Sequence, residues 1–174
     1  MRKILVLVFI GISLSCNALG FYNVRDYGAK GDGQNVDSDA VNRAIAEATK
    51  NGGGTIFFPA GTYLSYSIRL QSNITLYFDA GATLLAAYPE KDRGYDLPEE
   101  NPYNKFQDFG HSHWKNSLIW GIKLKNVTIK GDGLINGRGL TRESSQLPGV
   151  GNKAIALKEC TNVKIKDLSM IHCG

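Results

Sequence analysis

The sequence predicts an all-β chain wound as a solenoid, with one short α-helix at its N-terminal end. Two observations lead there. Beyond that helix the apolar residues recur with a period of two, and no second helical stretch separates the runs. Three of the runs also open alike, as Asn73-Ile74-Thr75-Leu76, Asn126-Val127-Thr128-Ile129 and Asn162-Val163-Lys164-Ile165. Short self-similar strands bury their apolar side by stacking coil on coil. An up-and-down barrel or a sandwich is the alternative, but asparagine-led repetition favours coils over hairpins.

Residues 1–20, MRKILVLVFIGISLSCNALG, carry Arg2 and Lys3, then an apolar run from Ile4 to about Leu14, then small and polar residues. This is the anatomy of a secretory signal. The run is shorter than the roughly 20 residues that span a bilayer, and no later stretch approaches that length. Residues 21–174 are therefore expected to form an exported domain with no membrane span, periplasmic or extracellular. Cleavage after Ala18 suits a signal peptidase, while Leu14-Ser15-Cys16 loosely resembles a lipoprotein box and makes Cys16 a candidate lipid anchor.

The whole chain has 20 basic and 16 acidic residues. Without Arg2 and Lys3 the net charge falls to about +2, too balanced to point to nucleic acid as a partner. Of three cysteines, Cys16 lies in the leader. An oxidising compartment permits Cys160 and Cys173 to pair, but two cysteines make no disulfide framework.

The tetrapeptide Lys-Gly-Asp-Gly occurs twice, at 30–33 and at 130–133. Neither copy lies in a nucleotide-binding glycine pattern. Glycines on both sides of an aspartate supply positive φ and an Asx-type side-chain bond, so both copies are expected to be bends. After the first comes the helix, in DSDAVNRAIAEATKNGGG. Val41, Ala44, Ile45 and Ala48 share one face, Asp37 or Ser38 is placed to cap the start, and Gly52 follows the end. The strand-like runs are GTIFFPAGTYLSYSIRL, NITLYFDAGATLLAA, SLIWGIKL, NVTIKGDGLING and NVKIKDLSMIHC.

Residues 88–116 interrupt the pattern. This stretch is polar and aromatic, holds three of the five prolines and has no period; a long irregular excursion from a regular stack is more often functional than idle. Tyr88, Tyr95, Tyr103, Phe106, Phe109 and Trp114 offer flat faces to a sugar ring, or else pack the loop onto the coil. Arg69, Lys105, Lys115 and Arg138 are placed to attract a carboxylated sugar, or are simply solvated. His111-Ser112-His113 with Asp108 lacks a third metal ligand at a telling distance, so an exposed loop surface is the favoured reading there. Glu99-Glu100 reads as solvated charge.

The stretch FYNVRDYGAKGDGQNVDSDAVNRAIAEATKNGGGTIFFPAGTYL resembles the start of the pectate-lyase-like superfamily, whose members are right-handed parallel β-helices. NITLYFDAGATLLAA and SLIWGIKLKNVTIKGDGLINGRG are similar to glycoside hydrolase family 28, the pectin-hydrolysing polygalacturonases and rhamnogalacturonases. Asn136 stands where many members carry aspartate, and Leu140-Thr141-Arg142 replaces a tryptophan-containing segment, which leaves the sugar open. The resemblance implies a right-handed parallel β-helix with an N-terminal capping helix, acting on acidic, pectin-type polysaccharide. Hydrolysis would invert configuration through an aspartate acid and base, with no metal or organic cofactor. It covers about the first third of a typical member, so the β-helix is expected to be incomplete. The family's Asn-Thr-Asp, Asp-Asp, Gly-His-Gly and Arg-Ile-Lys motifs have no counterpart here. Accordingly no catalytic, cofactor-binding or metal residue is assigned, and the segment is expected to be inactive alone. A lyase or epimerase of the same superfamily, or a non-enzymatic glycan-binding β-helix on a cell surface, is the alternative.

Overall fold

A computed structural model of the chain describes residues 20–100, 113–141 and 147–173. The described strands form three all-parallel sheets, and each turn of the chain contributes to them in rotation. The first coil comprises β1 (Gly20–Asn23), a 3-10 helix (Val24–Tyr27), β2 (Asp32–Val36) and α1 (Ser38–Lys50). The second is β3 (Gly54–Phe58), β4 (Gly61–Ser65) and β5 (Ile68–Arg69); the third is β6 (Ile74–Phe78), β7 (Ala82–Ala86) and β8 (Ile119–Ile122). β9 (Lys125–Gly131), β10 (Leu134–Asn136) and β11 (Ile155–Lys158) make the fourth, and β12 (Thr161–Lys166) and β13 (Ser169–Ile171) begin a fifth. The first sheet stacks β1, β3, β6, β9 and β12; the second β2, β4, β7, β10 and β13; the third β5, β8 and β11. This is a right-handed parallel β-helix. Three of its strands, β1, β2 and β11, fall where the alternation of residues is too short to announce a strand.

The interior is built of columns one residue wide. Ile56, Leu76, Ile129 and Ile165 follow one another through the first sheet, Tyr63, Leu84, Ile135 and Met170 through the second, and Ile68, Ile119 and Ile155 through the third. A fully buried Leu or Ile stabilises by roughly 1.5–3 kcal/mol. In the first four coils these side chains are buried, apart from Ile155, which is half-buried, whereas Ile165 is 46% exposed and Met170 40%.

α1 closes the opposite end. Ala40, Val41, Ala44, Ile45 and Ala48 are buried, and the helix packs on β1, β3, β5 and the 3-10 helix. It also stands in for the missing first strand of the third sheet. The Asn42 amide donates to the Ser67 carbonyl (3.0 Å), and its Oδ1 accepts the Arg69 N–H (2.9 Å), so one side chain occupies the edge of β5. Gly52 and Gly53, at φ 90° and 121°, end the helix by donating to the carbonyls of Thr49 and Ala48.

Asp37 holds the N-cap position but makes no cap bond there. Its two oxygens instead accept the backbone N–H groups of Lys30 (2.7 Å) and Gly31 (2.9 Å), tying the first Lys-Gly-Asp-Gly bend to the helix start. Ser38 accepts from the Tyr66 N–H rather than capping. In that bend Gly31 and Gly33 have φ of 64° and 72°. Asp32 accepts the N–H groups of Gln34 and Asn35, and these bonds bring its carboxyl down to about 2.

The second copy bends for a different reason. Gly131 has a φ of 126°, and a Cβ there would lie 2.0 Å from the Phe78 carbonyl oxygen of the coil beside it. Gly133 is not in the left-handed region; a Cβ at that position would meet Phe78 Cβ at 2.6 Å and the Ala82 carbonyl at 2.7 Å. Conformation and close approach, in turn, make both copies glycine-bracketed corners.

The three asparagines that open the repeats form a column of their own. Asn126 donates to Asn73 Oδ1 (2.9 Å) and Asn162 donates to Asn126 Oδ1 (2.8 Å). All three are left-handed, at φ 63°, 57° and 55°, a conformation asparagine tolerates better than other residues with a Cβ.

Candidate functional site

After Ala86 the chain leaves the second sheet, and it joins the third at Ile119; the described arms of this excursion are residues 87–100 and 113–118. The outward residues of the third sheet lie beneath it. Arg69 of β5 and Trp120 of β8 are register neighbours. Asp96 of the excursion clamps both: it accepts from Arg69 Nε (2.8 Å), from the Arg69 terminal nitrogen (2.6 Å) and from the indole N–H of Trp120 (2.8 Å). The bond to Asp96 raises Arg69 above the ordinary guanidinium value. The Asp96 N–H donates to Ser67 Oγ (3.0 Å), and that buried hydroxyl donates to the Ser117 carbonyl (2.9 Å), so both arms of the excursion meet on β5's flank.

Glu99 organises the return. Its carboxylate accepts the backbone N–H groups of Trp114 and Lys115 at 3.0–3.1 Å, and its carbonyl lies 3.1 Å from His113 Nδ1. This corrects the reading of Glu99 as solvated charge. His113 is buried at 2% exposure rather than part of an exposed loop surface, and Lys153 donates to its carbonyl (2.6 Å). Tyr95 also packs inward: it sits edge-on to Tyr66, its hydroxyl donates to the Ala87 carbonyl (2.8 Å), and burial raises that hydroxyl above the usual phenol range.

What remains accessible is a run of indoles and cations. Lys115 Nζ lies 5.9 Å from the centre of the Trp120 ring. Lys158 of β11 and Lys153 lie 4.3 Å and 5.9 Å from that of Trp114. Beside them Asp39 and Asn42 of α1, with Arg69, Arg93 and Asp96, border a groove of about 230 Å³. Tyr88 is 62% exposed, with the Arg138 guanidinium 5.7 Å from its ring. Such a surface offers ring faces and positive charge together, which suits an anionic sugar. Asp96 and Glu99 already accept hydrogen bonds at each oxygen, while Asp39 and Asp92 also border the groove.

Of the residues anticipated from sequence, Arg69, Lys115 and Trp114 join this surface, Tyr88 and Arg138 pair with each other at a separate groove beside His172 and Cys173, and Tyr95 belongs to the packing. Tyr103, Lys105, Phe106, Asp108, Phe109, His111 and Ser112 lie outside the described residues. No group of three or more potential metal ligands occurs among the described residues. Cys160 and Cys173 are both free thiols. Trp120, Lys158, Lys153 and Asp96 were not anticipated. Trp120 follows inward Ile119 in SLIWGIKL, so strand alternation alone directs it outward.

A family model described as "Rhamnogalacturonase A/epimerase, pectate lyase-like" matches residues 21–172. The chain belongs to this family. It is 34% identical over 131 residues to a probable polygalacturonase of Vitis vinifera, covering 73% of this chain and 26% of that protein. It is 32% identical over 149 residues to an exo-poly-α-D-galacturonosidase of Dickeya chrysanthemi, covering 82% of this chain and 24% of that one. The pectate-lyase-like chain thus spans about a quarter of the length of these relatives. In fold it is similar to the family 28 exopolygalacturonase of Yersinia enterocolitica, with a TM-score of 0.64 at 22% identity over 88% of this chain and 35% of that one. Among the described residues no helix is long and apolar enough to cross a membrane.

Proposed function

We propose that this chain is the N-terminal, cleft-bordering part of an exported glycoside hydrolase that acts on pectin-type, acidic polysaccharide. The observation that carries the reading is the third sheet's outer face, where Arg69, Lys115 and Lys158 are interleaved with Trp114 and Trp120 in a member of this family. Galacturonan presents a carboxylate on each sugar and an apolar ring face beside it, and the two complement ammonium and indole.

In the whole enzyme, one aspartic acid protonates the leaving glycosidic oxygen. A second aspartate takes a proton from the water that attacks the anomeric carbon, and configuration inverts. We place both acids outside this chain. Its own residues bind and orient the polymer.

Both tryptophans of the chain lie on this face, so their fluorescence reports binding there. Titrating the chain with oligogalacturonate is expected to change the emission, and Trp120→Phe is expected to lose most of the response. No change with oligogalacturonate overturns the reading. Incubation with polygalacturonate is expected to release no reducing ends from this chain. Release of an ultraviolet-absorbing unsaturated uronate would move the protein to the lyases.

A further inference from the structure

The first sheet presents a second exposed surface, on a different side of the coil from the excursion. Its outward residues form two columns. One runs Asn23, Phe57, Tyr77, Lys130, Lys166. The other begins at Phe21, passes through Thr55, Thr75 and Thr128, and ends at Lys164. Five strands at about 4.8 Å make a strip roughly 20 Å long, parallel to the coil axis.

Neither column contains a carboxylate. The rings of Phe21 and Phe57 lie 4.9 Å apart, those of Phe57 and Tyr77 5.8 Å apart, and Lys130 Nζ sits 5.5 Å from the centre of the Tyr77 ring. Phe21 is 63% exposed. Lys130 and Lys166 are direct cross-strand neighbours, and like charges so placed oppose each other. The acid bonded to this pair, Asp167, meets Lys166 at 3.6 Å with both side chains largely in solvent, a contact worth little. A solenoid is free to put threonine at these positions, as it does in the neighbouring column. Lysines stacked above an aromatic rung therefore favour a bound anion that also has an apolar face.

We infer that this strip is a second docking surface for an acidic polysaccharide, lying along the coil axis and separate from the third sheet. Lys130, Lys164 and Lys166 meet its carboxylates, the ring edges and Phe21 meet its apolar faces, and the Tyr77 and threonine hydroxyls meet its hydroxyls. The inference shares its substrate class with the proposed function but stands on a different face.

Affinity electrophoresis of the full chain through gels containing sodium polygalacturonate tests it. Retention is expected to weaken roughly tenfold in Tyr77→Ala/Lys130→Gln, while the tryptophan response to oligogalacturonate is unchanged. Lys130→Gln alone, a surface change that leaves the rung in place, is expected to show a smaller loss in the same direction. Unchanged retention in both variants overturns the inference, as does equal retention by single-stranded DNA or by fully methyl-esterified pectin. Retention that persists while the tryptophan response is absent supports the strip and overturns the proposed role of the other face.

Discussion

Asn126 holds the middle rung of the asparagine column, donating to one neighbour and accepting from the next at φ 57°. Replacing it with alanine removes both bonds and leaves a β-carbon in the left-handed region. Each net hydrogen bond contributes roughly 0.5–1.5 kcal/mol and the conformation costs about 1 kcal/mol. Asn126→Ala is therefore expected to destabilise the chain by about 2–3 kcal/mol in urea titration. Asn126→Gly, which relieves the backbone, is expected to lose less; equal losses would mean that the backbone contributes nothing. The recurrence of Asn-β-branched-polar-apolar was visible in the sequence, as was its implication of stacking. That the amides bond to one another was not, because the spacing between copies is irregular and only the folded register brings them into line. Asp37 likewise has the residue type of a helix cap, yet the loop at Lys30 and Gly31 offers its oxygens two N–H groups and wins them.

α1 was readable from its apolar face, and its burial against the first strands follows from that face alone. Its second role depends on Asn42, a polar residue beside that face with nothing in the sequence to single it out. Asn42→Ala leaves the Ser67 carbonyl and the Arg69 N–H without this partner, an expected loss of about 2 kcal/mol. Asn42→Asp retains the acceptor for Arg69 and is expected to fall between wild type and alanine in thermal melts. If alanine melts like wild type, the edge of β5 needs no cover. The strands divide in the same way. Those with five alternating residues, such as GTIFF and ITLYF, were evident, whereas β11 was missed because IALK is short and its outward Ala156 hides the alternation.

Across the molecule the two ends of the coil differ. One is sealed by α1. The other presents β11, β12 and β13 as outermost strands of their sheets, with Val163, Ile165, Met170 and Ile171 exposed. Open parallel edges flanking apolar side chains promote association. Sedimentation velocity of the 174-residue chain is expected to show concentration-dependent self-association, reduced by Val163→Lys/Ile165→Lys; a monomer at every concentration would contradict this. The coil architecture followed from period and repetition, whereas the third sheet's outer face did not, since it unites Arg69, Asp96, Trp120 and Lys158 from four separated segments. The two stems of the excursion meet the second coil within four residues, where the Ala87 N–H donates to the Ser65 carbonyl and the Ile68 N–H to the Leu118 carbonyl. The excursion's arms are tied as well to residues 149–153, through the Tyr95 N–H on the Gly149 carbonyl and the Asn152 N–H on the Asn116 carbonyl. Its two stems thus plug into a socket only a few residues wide, and doubling the length of a flexible loop adds only about 0.6 kcal/mol of closure cost. Extra length inserted between these stems is therefore expected to burden the spring that carries them very little.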